Sequence, residues 1–191
     1  MPAKDPVLTP ELIKILKIFG LGSILLVITL SFFDSHRASN SGEDLTFRVS
    51  DSARLYFLNL KAINYDREIR KDAGMTLYRH NGFLENDSVP GLHLIIIINP
   101  LIDEGYIYLE PVNLEFPFFI KKAGSDASTI ELVNGNKFDH LNQLEAILPW
   151  IESEAKLELV VKDQKIPLWQ SESEKDALKS TLEDYFRLLQ D

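Results

Sequence analysis

Four histidines and three sets of acidic side chains are the groups in this chain best suited to acid–base or metal chemistry. The histidines are His36, His80, His93 and His140. A catalytic or metal-binding set needs two or three of them brought together with carboxylates. No His-Glu-x-x-His run and no histidine pair spaced by four residues occurs, so spacing alone brings none of them onto one helical face. His80 falls at the end of an expected strand, His93 inside one and His140 at a helix start. His80 and His93, with nearby acids, are the residues a hydrolase lacking a standard motif would use.

The acids divide into Asp103-Glu104 at a hairpin tip and Glu152, Glu154 and Glu158 at a helix-to-strand junction. Neither set has the alternating oxygen-ligand spacing of a calcium loop, and both read as solvated turn charges. No Gly-x-Ser-x-Gly elbow, Walker loop or Gly-x-Gly-x-x-Gly turn is present. The chain has no cysteine, which excludes disulfides, thiol catalysis and thiolate metal sites. Hence no catalytic, cofactor-binding or metal-binding residue is assigned, no cofactor is expected, and the reading leans away from an enzyme.

Charge narrows the partners. The net charge is −9. Residues 92–191 carry eighteen acidic against nine basic side chains. Such a surface repels phosphate backbones, so nucleic acid is not expected as a partner. Asp66-Arg67-Glu68-Ile69-Arg70-Lys71-Asp72 alternates in sign and would pair internally in a helix. Its aromatic neighbours Tyr56, Phe57, Tyr65 and Tyr78, and the run Phe116–Phe119, serve either as core or as anchors for a partner. Asn86-Asp87-Ser88 matches the N-glycosylation triplet.

The most informative stretch is residues 12–33, "LIKILKIFGLGSILLVITLSFF", whose last sixteen residues carry no charge. Thr9 suits an N-cap, Pro10 the first helical position and Glu11 the first turn. A helix over residues 10–33 would extend roughly 36 Å, enough to cross a hydrocarbon layer about 30 Å thick. Lys14 and Lys17 share one face near its start and can reach headgroups. A cleaved leader needs small residues at −3 and −1 of the cut. Cuts after Ser35, Ala38 or Ser39 place Phe33, His36 or Arg37 at −3, so the segment is expected to remain. Lys4, Lys14 and Lys17 precede it and Arg37 alone follows closely, which orients the N-terminus inward.

These features divide the chain into a cytoplasmic tail (1–9), a transmembrane anchor (10–33), a polar linker (34–44) and an extracytoplasmic domain (45–191). The domain is expected to be α+β, with a mainly antiparallel sheet and two amphipathic helices in its C-terminal half. Strands are expected at "LTFRVS" (residues 45–50), through the apolar run 53–63, and at 75–80, 92–99, 106–111, 116–124 and 129–135. Residues 64–74 read as a loop or short helical turn. "LHLIIIIN" suits a central strand covered on both faces. A helix follows with Asp139 as its cap and Leu141, Leu144, Ile147, Leu148 and Ile151 on one face, ended or kinked by Pro149. A hairpin turns around Lys162-Asp163-Gln164. The last helix opens with Ser171 and Glu174 as a capping box and buries Leu178, Leu182, Tyr185, Phe186 and Leu189.

The expected function is a single-pass membrane protein presenting a non-enzymatic binding domain outside the cytoplasm. Its partners would be the lipid bilayer, through residues 10–33, and another envelope protein. The alternative is a membrane-anchored hydrolase with a His/carboxylate site.

Overall fold

The computed structural model describes residues 10–33, 46–86, 89–124, 129–161 and 164–190, with the side chains of 27–33 and 84–86 outside that description. Thr9, the linker, the glycosylation triplet beyond Asn86, and Lys162-Asp163 therefore lie outside the described residues. The chain forms two compact units, Met1–Asn40 and Ser41–Asp191.

In the first unit, helix α1 (Pro10–Phe33) runs 24 residues. Glu11 sits in its first turn, where a carboxylate favours the exposed N–H groups. Among the described residues, no helix is long and apolar enough to cross a membrane. The expected transmembrane anchor therefore has no structural support, and it returns below only as a proposal.

The second unit is a mixed α+β domain built on two four-stranded antiparallel sheets, where the sequence reading expected one. The first sheet has the order β1-β2-β3-β4: Tyr65–Arg70, Met75–His80, Gly91–Asn99 and Glu104–Val112. The second has the order β6-β5-β7-β8, from β5 (Phe118–Lys122), β6 (Thr129–Leu132), β7 (Leu157–Val161) and β8 (Gln164–Leu168). The strands expected within 116–124 and 129–135 thus belong to a separate sheet with β7 and β8, because β5 pairs with both β6 and β7.

The β-branched run of β3 lies between β2 and β4, as a strand covered on both faces should. Its even positions Leu92, Leu94, Ile96 and Ile98 face the main core. Its odd positions turn to the other face, where Ile95 is also buried.

Two expectations near the domain's start are corrected. Of the strand expected over 45–50, the described residues 46–50 form only an isolated bridge, Arg48 to Glu104, although Phe47 and Val49 point inward with the expected alternation. Residues 53–63 are helical. Ser50 caps α2 (Asp51–Tyr56) by accepting the Ala53 N–H at 3.2 Å. The helix continues as a π-helical turn (Phe57–Lys61) and a 3-10 turn (Ala62–Asn64). The charged segment then expected to be a loop is strand β1. It occupies an edge, where charged side chains keep a strand from pairing further.

Helix α3 (Lys137–Glu152) starts three residues earlier than expected. Asn136, not Asp139, is its cap, and Asp139 is the third-position partner that accepts the Asn136 N–H at 2.8 Å. Pro149 neither stops it at once nor marks its end, since one more turn follows to Glu152. Leu141, Leu144 and Ile147 are buried as expected. Helix α4 (Glu172–Leu188) opens with the expected Ser171/Glu174 box and buries Leu178, Leu182 and Tyr185.

The two sheets and both long helices share one core. Trp169, in the left-handed region at φ 53°, ends β8 and donates from Nε1 to the Leu92 carbonyl at 2.7 Å. That bond ties the second sheet to the start of β3. Gly82 lets the turn after β2 approach α4, because a Cβ there would lie 2.7 Å from the Ser173 carbonyl oxygen.

Candidate functional site

The histidines do not form one site. Register places Tyr78 opposite Ile96. His80, two residues on, therefore shares the core side of the first sheet, while His93 alternates to the other side. His80 accepts the Gly82 N–H on Nδ1 at 3.2 Å and meets the Tyr65 ring edge-on at 5.0 Å. Burial lowers its proton affinity, opposed by Asp184 and Asp176. His93 stacks on Phe83 at 5.2 Å. His140 lies in the first turn of α3 against Tyr108, with ring centroids 4.1 Å apart. Its Nδ1 accepts the Leu109 N–H at 3.4 Å, a backbone donor on edge strand β4. Burial again lowers its proton affinity, opposed by Asp139. His36 lies outside the described residues.

Of the acids singled out in the sequence, Asp103 and Glu104 are engaged structurally. Asp103 holds Arg54 at 2.5 Å. Glu104 accepts from Lys137 and from the Tyr106 hydroxyl, both at 2.6 Å. The Lys137 ammonium also lies 4.7 Å from the Phe47 ring centre, 5.2 Å from that of Tyr106 and 5.5 Å from that of Phe138. Three rings and a carboxylate thus surround one of the protein's own cations. Glu158 stands opposite the buried Lys121 in the β5–β7 register, while Glu152 and Glu154 stay on the solvent side of the α3 end. Among the described residues, no group of three histidine or acidic side chains is placed to hold a metal.

The most developed polar cluster was not singled out in the sequence. Asp184 of α4 is 4 % exposed. Its Oδ2 accepts the Tyr65 hydroxyl at 2.9 Å, and its Oδ1 lies 3.3 Å from Lys61 Nζ. Burial, then the Asp184 charge, hold the Tyr65 proton far more firmly than in water. One sequence signal was available: 177, 181, 184 and 188 follow the helical period of the buried stripe on α4, so Asp184 had to be buried and therefore partnered. Both of its oxygens are occupied, so it fastens α4, the π-helical turn and β1 together and is not poised to take a proton from a substrate.

Surface concavities lie elsewhere. A groove of about 350 Å³ beside α2 has Thr76, Tyr78 and Ile98 as its floor, with Leu58, Ala62 and Pro100 at its walls and Arg54 and Arg67 at its edges. Ile69, opposite Thr76 in register, is exposed. A second concavity of about 570 Å³ lies by Asn113–Phe119 and Val160-Val161. Neither reaches His80, His93, His140 or Asp184. Of the expected aromatic anchors, Phe57, Tyr65 and Tyr78 are core, while Tyr56 lies under the Arg187 guanidinium at 3.9 Å. Phe118 is core and Phe119 is exposed at 40 %.

Arg54 is already paired with Asp51 and Asp103, so Arg67 is the arginine at this groove that could meet an acid beside an apolar side chain. No acid–base pair lines the groove. No protein-family model, curated protein or solved structure matches this chain.

Proposed function

We propose that this is a single-pass membrane-anchored protein whose α+β domain binds a partner outside the cytoplasm without catalysing a reaction. Residues 1–9 form the inner tail, 10–33 the anchor, 34–44 the linker and 45–191 the binding domain. The observation that carries the reading is the surface of α1. Leu12, Ile13, Ile15, Leu16, Ile18, Phe19, Leu21, Ile24, Leu25 and Leu26 are all exposed. Those positions point in every direction around a helix, and a helix apolar all round belongs inside apolar surroundings. The uncharged residues that follow, to Phe33, lengthen the apolar stretch in sequence to that of a membrane crossing.

The groove beside Tyr78 is the partner site in this reading. The alternative of a hydrolase using His80 has one supporting feature, the nearby Asp184. Its weakness is that Tyr65 and Lys61 already occupy that carboxylate.

Proteolysis of intact cells carrying a C-terminal epitope tests the topology. The proposal expects the epitope to be lost while a cytoplasmic marker survives. An epitope protected like that marker overturns the outward orientation.

A further inference from the structure

The segment Asp51–Asn64 buries one residue, Phe57. On its other side Leu55 is 57 % exposed, Leu60 59 % and Ile63 83 %. Three large apolar side chains this exposed on one short segment of a folded domain invite a cover. The segment is held firmly from within. Phe57 packs on Tyr65 and Tyr78 at 5.4 and 5.1 Å, Tyr56 lies under Arg187, and Lys61 pairs with Asp184. Its outer leucines are therefore presented by a fixed support.

We propose that this outer side rests in the headgroup layer of the bilayer that holds α1, so that the domain lies on the membrane surface. The inference rests on the anchor reading above. Two observations select lipid as the occupant. First, twelve residues separate Phe33 from Thr46, a tether spanning at most roughly 45 Å. Asp51–Asn64 is the first helical segment beyond it. The tether keeps this surface at high effective concentration next to lipid before any other partner arrives. Second, residues 51–74 hold five basic and four acidic side chains, against nine and eighteen over residues 92–191. The apolar side thus lies in the part of the domain that an anionic membrane repels least. Helices that lie in the interface combine such features, inserting an apolar side to the acyl boundary with basic side chains among the headgroups.

The absence of cysteine makes the test clean. Full-length single-cysteine variants Leu21→Cys, Leu60→Cys, Ile63→Cys and Glu145→Cys are labelled with an environment-sensitive fluorophore. They are reconstituted in vesicles of neutral and anionic phospholipid containing a chain-borne quencher. The proposal expects quenching at 21, and quenching at 60 and 63 at least about twofold above that at the exposed Glu145 position on α3. Quenching at 21, with 60 and 63 no different from 145, overturns the surface contact and leaves the anchor standing. No quenching at 21 overturns the anchor itself. A blue shift at 60 and 63 that grows with protein density but ignores the lipid quencher assigns this side to a second copy and overturns the lipid contact.

Discussion

The Tyr65 hydroxyl donates to Asp184 Oδ2 at 2.9 Å across 119 residues of chain, joining the first strand of the domain to its last helix. Lys61 completes the carboxylate's partners from the π-helical turn that precedes β1. Charge-assisted bonds of this kind matter chiefly because losing one leaves a buried charge short of a partner. Tyr65→Phe should destabilise the domain by about 1.5–3 kcal/mol. Asp184→Leu added to Tyr65→Phe, which removes the charge together with its hydroxyl partner, should cost less than Tyr65→Phe alone. Chemical denaturation of the two variants checks the order. Equal losses would show that the bond's packing, and not the stranded carboxylate, sets the cost.

His140 makes stability depend on pH. Its Nδ1 accepts the Leu109 N–H, which requires the neutral ring, and burial depresses its proton affinity from the ordinary value near 6.5. Asp139 works against that depression, and Tyr108 and Phe116 are its ring neighbours. The unfolded chain therefore binds this proton at higher pH than the folded one. Stability from this group is complete above pH 6.5 and is lost as pH falls below it. His80, lowered by burial in the same way, adds loss of the same sign. His140→Asn, which keeps an acceptor without titrating, should lower the slope of stability against pH below 6.5 by up to about 1.4 kcal/mol per pH unit. An unchanged slope would mean that His140 takes up its proton in the folded state without cost.

The α3 start separates two assignments of its cap. The Asn136 side chain accepts the Phe138 N–H at 2.8 Å and the Asp139 N–H at 3.3 Å. Asn136→Ala should cost about 1 kcal/mol, read from thermal unfolding as a fall of about 2–4 °C. Gly there should cost only a few tenths of that unit. If Asn136→Ala were neutral and Asp139→Ala costly, Asp139 would carry the helix start.

Local patterns were legible where local physics decides them. The Ser171/Glu174 box, the helical stripe of α4, the β-branched run of β3 and the hairpin to β4 all stand where spacing puts them. Residues 51–74 were read almost inverted. An apolar run from Leu55 to Leu60 looks like a strand, but Ser50 supplies a helix cap just before it. The charged stretch after it looks like a loop, yet at a sheet edge charge is compatible with strand pairing. The split into two sheets left no local trace, because it depends on β5 choosing partners on both sides of α3. The Tyr65–Asp184 bond and the groove beside Tyr78 arise only when distant segments meet, so composition and spacing carried just one hint of them, the helical period of Asp184.

The central claim is that residues 10–33 hold the protein permanently in a membrane. Alkaline carbonate extraction of membranes, followed by intact mass measurement of the recovered chain, tests it most directly. The account predicts a chain that stays in the pellet and whose mass still includes residues 10–33. Recovery in the soluble fraction, or a mass lacking the first 33 or more residues, would contradict it.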